Sequence, residues 1–318
     1  MQTIQQEIDE RTNLTSSGKL ELLLFRLGHD ALLDRTELFG INVFKIREIL
    51  PMPVITAMAG SHANMMGVVD LRGQILPVIN LPAIAGCTPK SGLNILLITE
   101  FARTTQAFAV ESVEDIVRLD WKQVRSAEGS GASGLVTSIA RLDGENSDRL
   151  AQVLDVETIL RRVMPPDEEP INSDKIGPSV TIKPGTVILA ADDSLVARTM
   201  IEDGLTTMGL PYLMCKTGKE AWDQLQAISD KEQAAGRTVH DKIALVLTDL
   251  EMPEMDGFTL TRNIKQDPRF SAIPVVIHSS LTGTANEAHV KKVGADAYVA
   301  KFVAEDLANA LRKALKVE

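Results

Sequence analysis

Apolar residues change their rhythm once along this chain, across the stretch VMPPDEEPINSDKIGPSVTIKPG at residues 163–185. Five prolines and an acidic cluster, with no apolar periodicity, make that stretch a semi-extended linker and limit the chain to two unlike domains. Its 318 residues suffice for two cores of ordinary size. The expected divisions are a tail at 1–18, a first domain at 19–163, the linker at 164–185 and a second domain at 186–318.

After the linker, strands and helices alternate. TVILAADD, PYLMCKT, IALVLTD, PVVIHSS and DAYVAK read as strands. Between and after them come helices over SLVARTMIEDGLTTMG with Ser194 as N-cap, GKEAWDQLQAIS, residues 257–265, ANEAHVKKVG and EDLANALRKALKV. Runs apolar throughout, such as Val275-Val276-Ile277, suit a parallel sheet covered on both faces. The pattern predicts an α/β, flavodoxin-like, doubly wound sheet of five parallel strands, whose ligands lie beyond the carboxyl ends of the strands. SDKEQAAGRTVHDK, at residues 229–242, is longer than such a connection needs and reads as a polar surface loop.

The unusual residues all fall at those carboxyl ends: Asp192 and Asp193 after the first strand, Asp249 after the third, Ser279 and Ser280 at the fourth, Lys301 at the fifth. Three carboxylates in one crevice repel by roughly 4 kcal/mol per pair at 4 Å and an effective dielectric near 20. A divalent cation relieves this, and oxygen-only ligands with room for water suit Mg²⁺. Asp193 and Asp249 are the expected direct ligands, with Asp192 in the outer sphere. Asp249 can then act as a nucleophile towards a phosphoryl donor, while Lys301 and the Ser279 hydroxyl hold the transferred oxygens.

With ADDS, LTDLEMPEMDG, VVIHSS and AYVAKF in this order, residues 186–318 resemble a two-component receiver domain of the CheY type. The resemblance implies that the Glu251 carbonyl is a further metal ligand. It also implies that Ser279 and Tyr298 are the hydroxyl and aromatic pair that rearranges on phosphorylation. Receivers usually carry proline after the lysine; here Phe302 stands there, which bears on a cis peptide bond and on the reach of Lys301.

The first domain reads as mostly β, in short segments such as KLELLLFRL, FGINVF, NILLITE, QAFAVESV and RLAQVLDV. Two helical patches are expected, VFKIREIL and VETILRRV, and the strand pairing suggests small closed barrels. GVVDLRGQILPVINL forms a hairpin whose turn offers Arg72 to solvent. With FGINVFKIREIL upstream and LAQVLDVETIL downstream, residues 19–163 resemble the coupling protein CheW. That family folds as two small β-barrels and bridges chemoreceptor tips to the histidine kinase CheA. The resemblance implies Arg72, with Val68 and Val69 beside it, as partner contacts. A CheW-like domain ahead of a receiver is similar to the layout of the CheV family, which implies a chemotaxis adaptor set by phosphorylation of Asp249, through adaptation of signalling or as a phosphate sink.

Composition narrows the alternatives. A formal net charge of −10 and no basic run disfavour nucleic acid. No apolar run approaches the length of a membrane span, and no secretory signal is visible, so the expected place is the cytoplasm, at chemoreceptor arrays by the resemblance. Cys87 and Cys215 read as reduced structural thiols, Trp121 and Trp222 as packing anchors, and His278 as a strand residue without a general-base role. No nucleophile-base pair stands out in the first domain, and the chain is expected to act without turnover. The rival is a Mg²⁺-dependent phosphohydrolase with an aspartate nucleophile. Such enzymes carry DxD on the first functional strand, whereas here the motif is DLE, preceded by a separate acid pair.

Overall fold

The computed structural model describes residues 19–30, 35–101, 104–127, 134–144, 148–165, 180–280, 293–301 and 303–316. The chain divides into two compact units between Pro166 and Asp167.

In the first unit, a six-stranded sheet runs in the order Ser112–Asp120, Lys19–Arg26, Leu38–Asn42, Leu150–Leu154, Val136–Arg141 and Val124–Ser126. Its outermost strands are consecutive in sequence, joined by the 3-10 turn Trp121–Gln123. Both add side chains, Leu119 and Val124, to one cluster with Leu20, Leu22, Leu24 and Ala140, so the sheet rolls around its own core. A second sheet has the order Ile46–Pro51, Ile95–Phe101, Thr104–Val110, Gln74–Asn80 and Met65–Leu71. It curls likewise, with Val69 of one edge and Leu50 of the other around Leu76, Leu96 and Ile98. Between these two barrel-like halves lies a third cluster that takes Leu23, Phe25 and Ile41 from the first sheet and Ile79, Leu97 and Phe108 from the second. The helix Val156–Val163 closes it with Ile159 and Val163, where VETILRRV predicts a helix.

VFKIREIL departs from expectation. Only Val43–Lys45 coils, as a 3-10 turn, and Ile46–Pro51 is a strand. Its apolar spacing suits either state, and antiparallel pairing with Ile95–Phe101 decides for the strand.

The second unit is a five-stranded, wholly parallel sheet in the order Tyr212–Cys215, Val187–Ala191, Ile243–Thr248, Val275–Ser279, Ala297–Ala300. This 2-1-3-4-5 order is the flavodoxin-like doubly wound sheet. One face packs on the helices Leu195–Thr207 and Ala304–Leu315, through Ile201, Leu205, Leu307 and Leu311. The other packs on Gly218–Ala234 and Gly257–Gln266, through Ala221, Leu225, Leu260 and Ile264. The expected helix ANEAHVKKVG falls almost wholly outside the described residues.

The polar insertion is more ordered than the surface loop expected of it. The helix continues to Ala234, with Ser229 and Glu232 on its buried side, and Val239 of the 3-10 turn Val239–Asp241 enters the core. The far end of the linker is also seated: Val180 is buried among Ile201, Leu205 and Leu311, and Ile182 packs beside it. Lys183 pairs with Asp241 at 2.5 Å, and Lys242 Nζ donates to the Gly185 carbonyl at 3.3 Å.

Candidate functional site

Parallel pairing brings the predicted residues of the second unit to one end of its sheet. Asp192 and Asp193 follow the strand Val187–Ala191, and Asp249 follows Ile243–Thr248, its N–H bonded to the Ala191 carbonyl at 2.9 Å. Lys301 follows Ala297–Ala300 and donates its N–H to the Ser279 carbonyl at 2.9 Å. Its side chain lies fully buried, with Nζ 2.9 Å from Asp192 Oδ2 and 3.1 Å from Asp249 Oδ2. Phe302, where receivers usually carry proline, lies outside the described residues; Lys301 reaches both carboxylates with phenylalanine in that place.

One oxygen from each of Asp192, Asp193 and Asp249 lies within 4.8 Å of the others. Two ligands of an octahedral Mg²⁺ at about 2.1 Å stand about 3 Å apart when adjacent and about 4.2 Å when opposite, so the set fits this ion with small adjustments. The donors are hard oxygens, as Mg²⁺ requires. Charge agrees in sign: the three carboxylates outnumber the cations beside them and leave the crevice negative, which a divalent cation offsets. Glu251 is half-buried in the loop just past Asp249.

The loop after Asp249 is held by a close approach of backbones. A Cβ on Gly257 would stand 2.0 Å from the Asp249 carbonyl oxygen, and one on Gly218 would stand 2.2 Å from that of Met255. Both positions therefore need glycine for contact rather than for dihedral freedom, since neither has a positive φ. Asp256 caps the next helix, accepting from Thr259 N at 2.9 Å. The turn MPEMDG thus fixes the Asp249 backbone from below.

Ser279 is fully buried at the end of its strand and pairs with Ala300, while Tyr298 is half-buried and pairs with Ile277. Side chains alternate along a strand, so Ser279 and Tyr298 belong to the same face of the sheet.

Arg198 escaped the sequence reading. It lies near the start of the helix Leu195–Thr207 and is 6% exposed, with Nη1 donating to the Asp192 carbonyl at 3.0 Å and to the Asp193 carbonyl at 2.8 Å. One signal was available. A cation near a helix N-terminus opposes the helix dipole and calls for a reason.

In the first unit, Arg72 and Gly73 form a two-residue hairpin loop with φ of 53° and 86°, the signature of a type I′ turn. Asp70 Oδ1 accepts from Gly73 N at 2.7 Å, and Arg72 Nη2 meets Glu48 at 2.7 Å with its side chain 73% exposed. Val68 is half-buried and exchanges two backbone hydrogen bonds with Thr56. Val69, the other expected contact, is turned inward by strand alternation and lies 5% exposed among Leu76 and Val78.

The chain combines two domain families. The CheW-like domain family matches residues 21–164, and the response regulator receiver domain family matches residues 188–312. Chemotaxis protein CheV3 of Helicobacter pylori is 30% identical over 96% of this chain and 98% of its own length. Chemotaxis protein CheV2 of the same organism is 30% identical over 97% and 99%, and Chemotaxis protein CheV1 is 28% identical over 98% and 98%. The protein is therefore a CheW-like domain joined to a receiver. It belongs to the CheV family of chemotaxis coupling proteins.

Proposed function

We propose that this chain is an adaptor that couples chemoreceptor tips to the histidine kinase CheA, and that phosphorylation of Asp249 adjusts the coupling. The observation that carries the reading is the convergence of Asp192, Asp193, Asp249 and Lys301 at one sheet end, in a chain whose other half is CheW-like.

An Asp249 carboxylate oxygen attacks the phosphorus of a phosphohistidine donor. The P–N bond breaks, its electron pair goes to the imidazole nitrogen, and that nitrogen takes a proton from water as the aspartyl phosphate forms. Asp193, Asp249 and the Glu251 carbonyl, with Asp192 in the outer sphere, would hold Mg²⁺, and the bound ion would supply positive charge against the incoming phosphoryl oxygens. Lys301, already in contact with Asp249, passes its ammonium to a phosphoryl oxygen, and the Ser279 hydroxyl donates to another. Tyr298, on the same face as Ser279, follows that movement and alters the surface of the last two strands. Arg72 and Val68 contribute to docking on receptor or kinase at the hairpin edge of the second sheet. The working site is cytoplasmic, at receptor arrays, and the chain itself turns over no substrate.

The test is transfer of labelled phosphate from autophosphorylated CheA with Mg²⁺ present. Wild type should label and Asp249→Asn should not; equal labelling of both removes Asp249 from its role. Repeated turnover of a small aryl phosphate ester would instead favour a phosphohydrolase.

A further inference from the structure

We infer that Arg198 is a positioning residue for the cation site, holding the backbone of the acid pair so that Asp192 and Asp193 present their carboxylates together with Asp249. The inference rests on reading the three carboxylates as a Mg²⁺ site, and assigns the site a part that makes no contact with the metal.

Consecutive carbonyls of an extended strand point in opposite directions. Here the carbonyls of Asp192 and Asp193 both meet a single guanidinium nitrogen, at 3.0 and 2.8 Å, so the chain is gathered where the strand Val187–Ala191 ends. That gathering sets the direction in which both Asp side chains leave the backbone. A second bond fixes the same turn from the other side, Ser194 N donating to Asp192 Oδ1 at 3.0 Å. Ser194 then caps the helix that carries Arg198, accepting from Ala197 N at 3.5 Å. Strand end, acid pair, cap and arginine thus form one closed loop of contacts.

The residue type is costly in this place unless it is needed. A guanidinium 6% exposed has lost most of its hydration, and it opposes the dipole of its own helix. Both carbonyls meet the one nitrogen Nη1, held in place by a rigid, permanently charged plane, and a lysine ammonium on a flexible stem offers donors without that fixed placement. Groups that hold metal ligands from behind commonly change metal affinity by about 10- to 100-fold when removed.

The experiment uses the full chain and measures Mg²⁺ affinity by isothermal titration calorimetry for wild type, Arg198→Met, Arg198→Lys and Asp193→Asn. Arg198→Met should weaken Mg²⁺ binding by about tenfold or more, and Arg198→Lys by an intermediate amount. Phosphoryl acceptance by Arg198→Met should regain the wild-type maximum at saturating Mg²⁺, with only the half-saturating concentration raised. Wild-type Mg²⁺ affinity in Arg198→Met overturns the inference. So does a lowered maximum with an unchanged half-saturating concentration. If circular dichroism shows Arg198→Met unfolded, Arg198→Lys decides alone: affinity equal to wild type overturns the inference. Asp193→Asn tests the reading beneath it, because unchanged Mg²⁺ binding there removes the cation site whatever Arg198 does.

Discussion

At the scale of single residues, the crevice places charge against stability. Lys301 offsets Asp192 and Asp249 by direct contact, whereas Asp193 adds a third negative charge from a half-buried position. Removing that charge relieves repulsion screened by water on one side, worth about 1 kcal/mol. Asp193→Asn should therefore raise the urea midpoint of metal-free protein, and added Mg²⁺ should stabilise the variant far less than wild type. A lower midpoint without metal would show that Asp193 stabilises the fold and that its repulsion with the neighbouring carboxylates is outweighed. Arg72 offers a similar separation. Its left-handed φ of 53° favours asparagine or glycine over a long side chain. Arg72→Asn should keep the hairpin and stay within about 1 kcal/mol of wild-type stability, since the turn gains against the loss of a pair that is exposed on the arginine side and 15% exposed at Glu48. The same variant should co-sediment less with receptor and kinase; undiminished recruitment would take Arg72 off the docking surface.

At the scale of elements, what could be read in the sequence was whatever a local pattern determines. The receiver strands were legible because burial on both faces makes them continuous apolar runs, and the carboxylates were legible because they stand at the ends of those runs. VFKIREIL was not, since residues 43, 44, 46, 49 and 50 satisfy a helical stripe as well as a strand, and only a partner strand settles it. Arg198 was hidden for a related reason: it binds main-chain carbonyls, which carry no mark in sequence. The inward direction of Val69 was not legible either, because the hairpin motif names neighbouring positions without saying which face each takes. Gly257 combines both cases, its identity visible and its purpose not. As the first residue of the helix Gly257–Gln266, it would gain about 0.5–1 kcal/mol on changing to alanine from propensity alone. The 2.0 Å approach to the Asp249 carbonyl reverses the sign. Gly257→Ala should lose about 2–3 kcal/mol in chemical denaturation and slow phosphoryl acceptance, because the backbone displaced is that of Asp249 itself. A stabilised variant would refute the close approach.

At the scale of the whole molecule, the chain is two folding units, and no helix among the described residues is long and apolar enough to cross a membrane. Composition marks 164–185 as connection, yet its last residues belong to the receiver in packing. Burying a valine side chain contributes about 1.5–3 kcal/mol, so a fragment of residues 180–318 should exceed one of residues 187–318 by roughly 2–3 kcal/mol in urea unfolding. Equal stabilities would mean that Val180 and Ile182 add nothing to the core. The seating also has a mechanical consequence. Tension arriving along the connection at Val180 is carried by a cluster that includes Leu307 and Leu311, the packing face of the helix that follows Lys301. A pull on the chain is thus a load on the helix directly after Lys301, whose ammonium contacts Asp192 and Asp249.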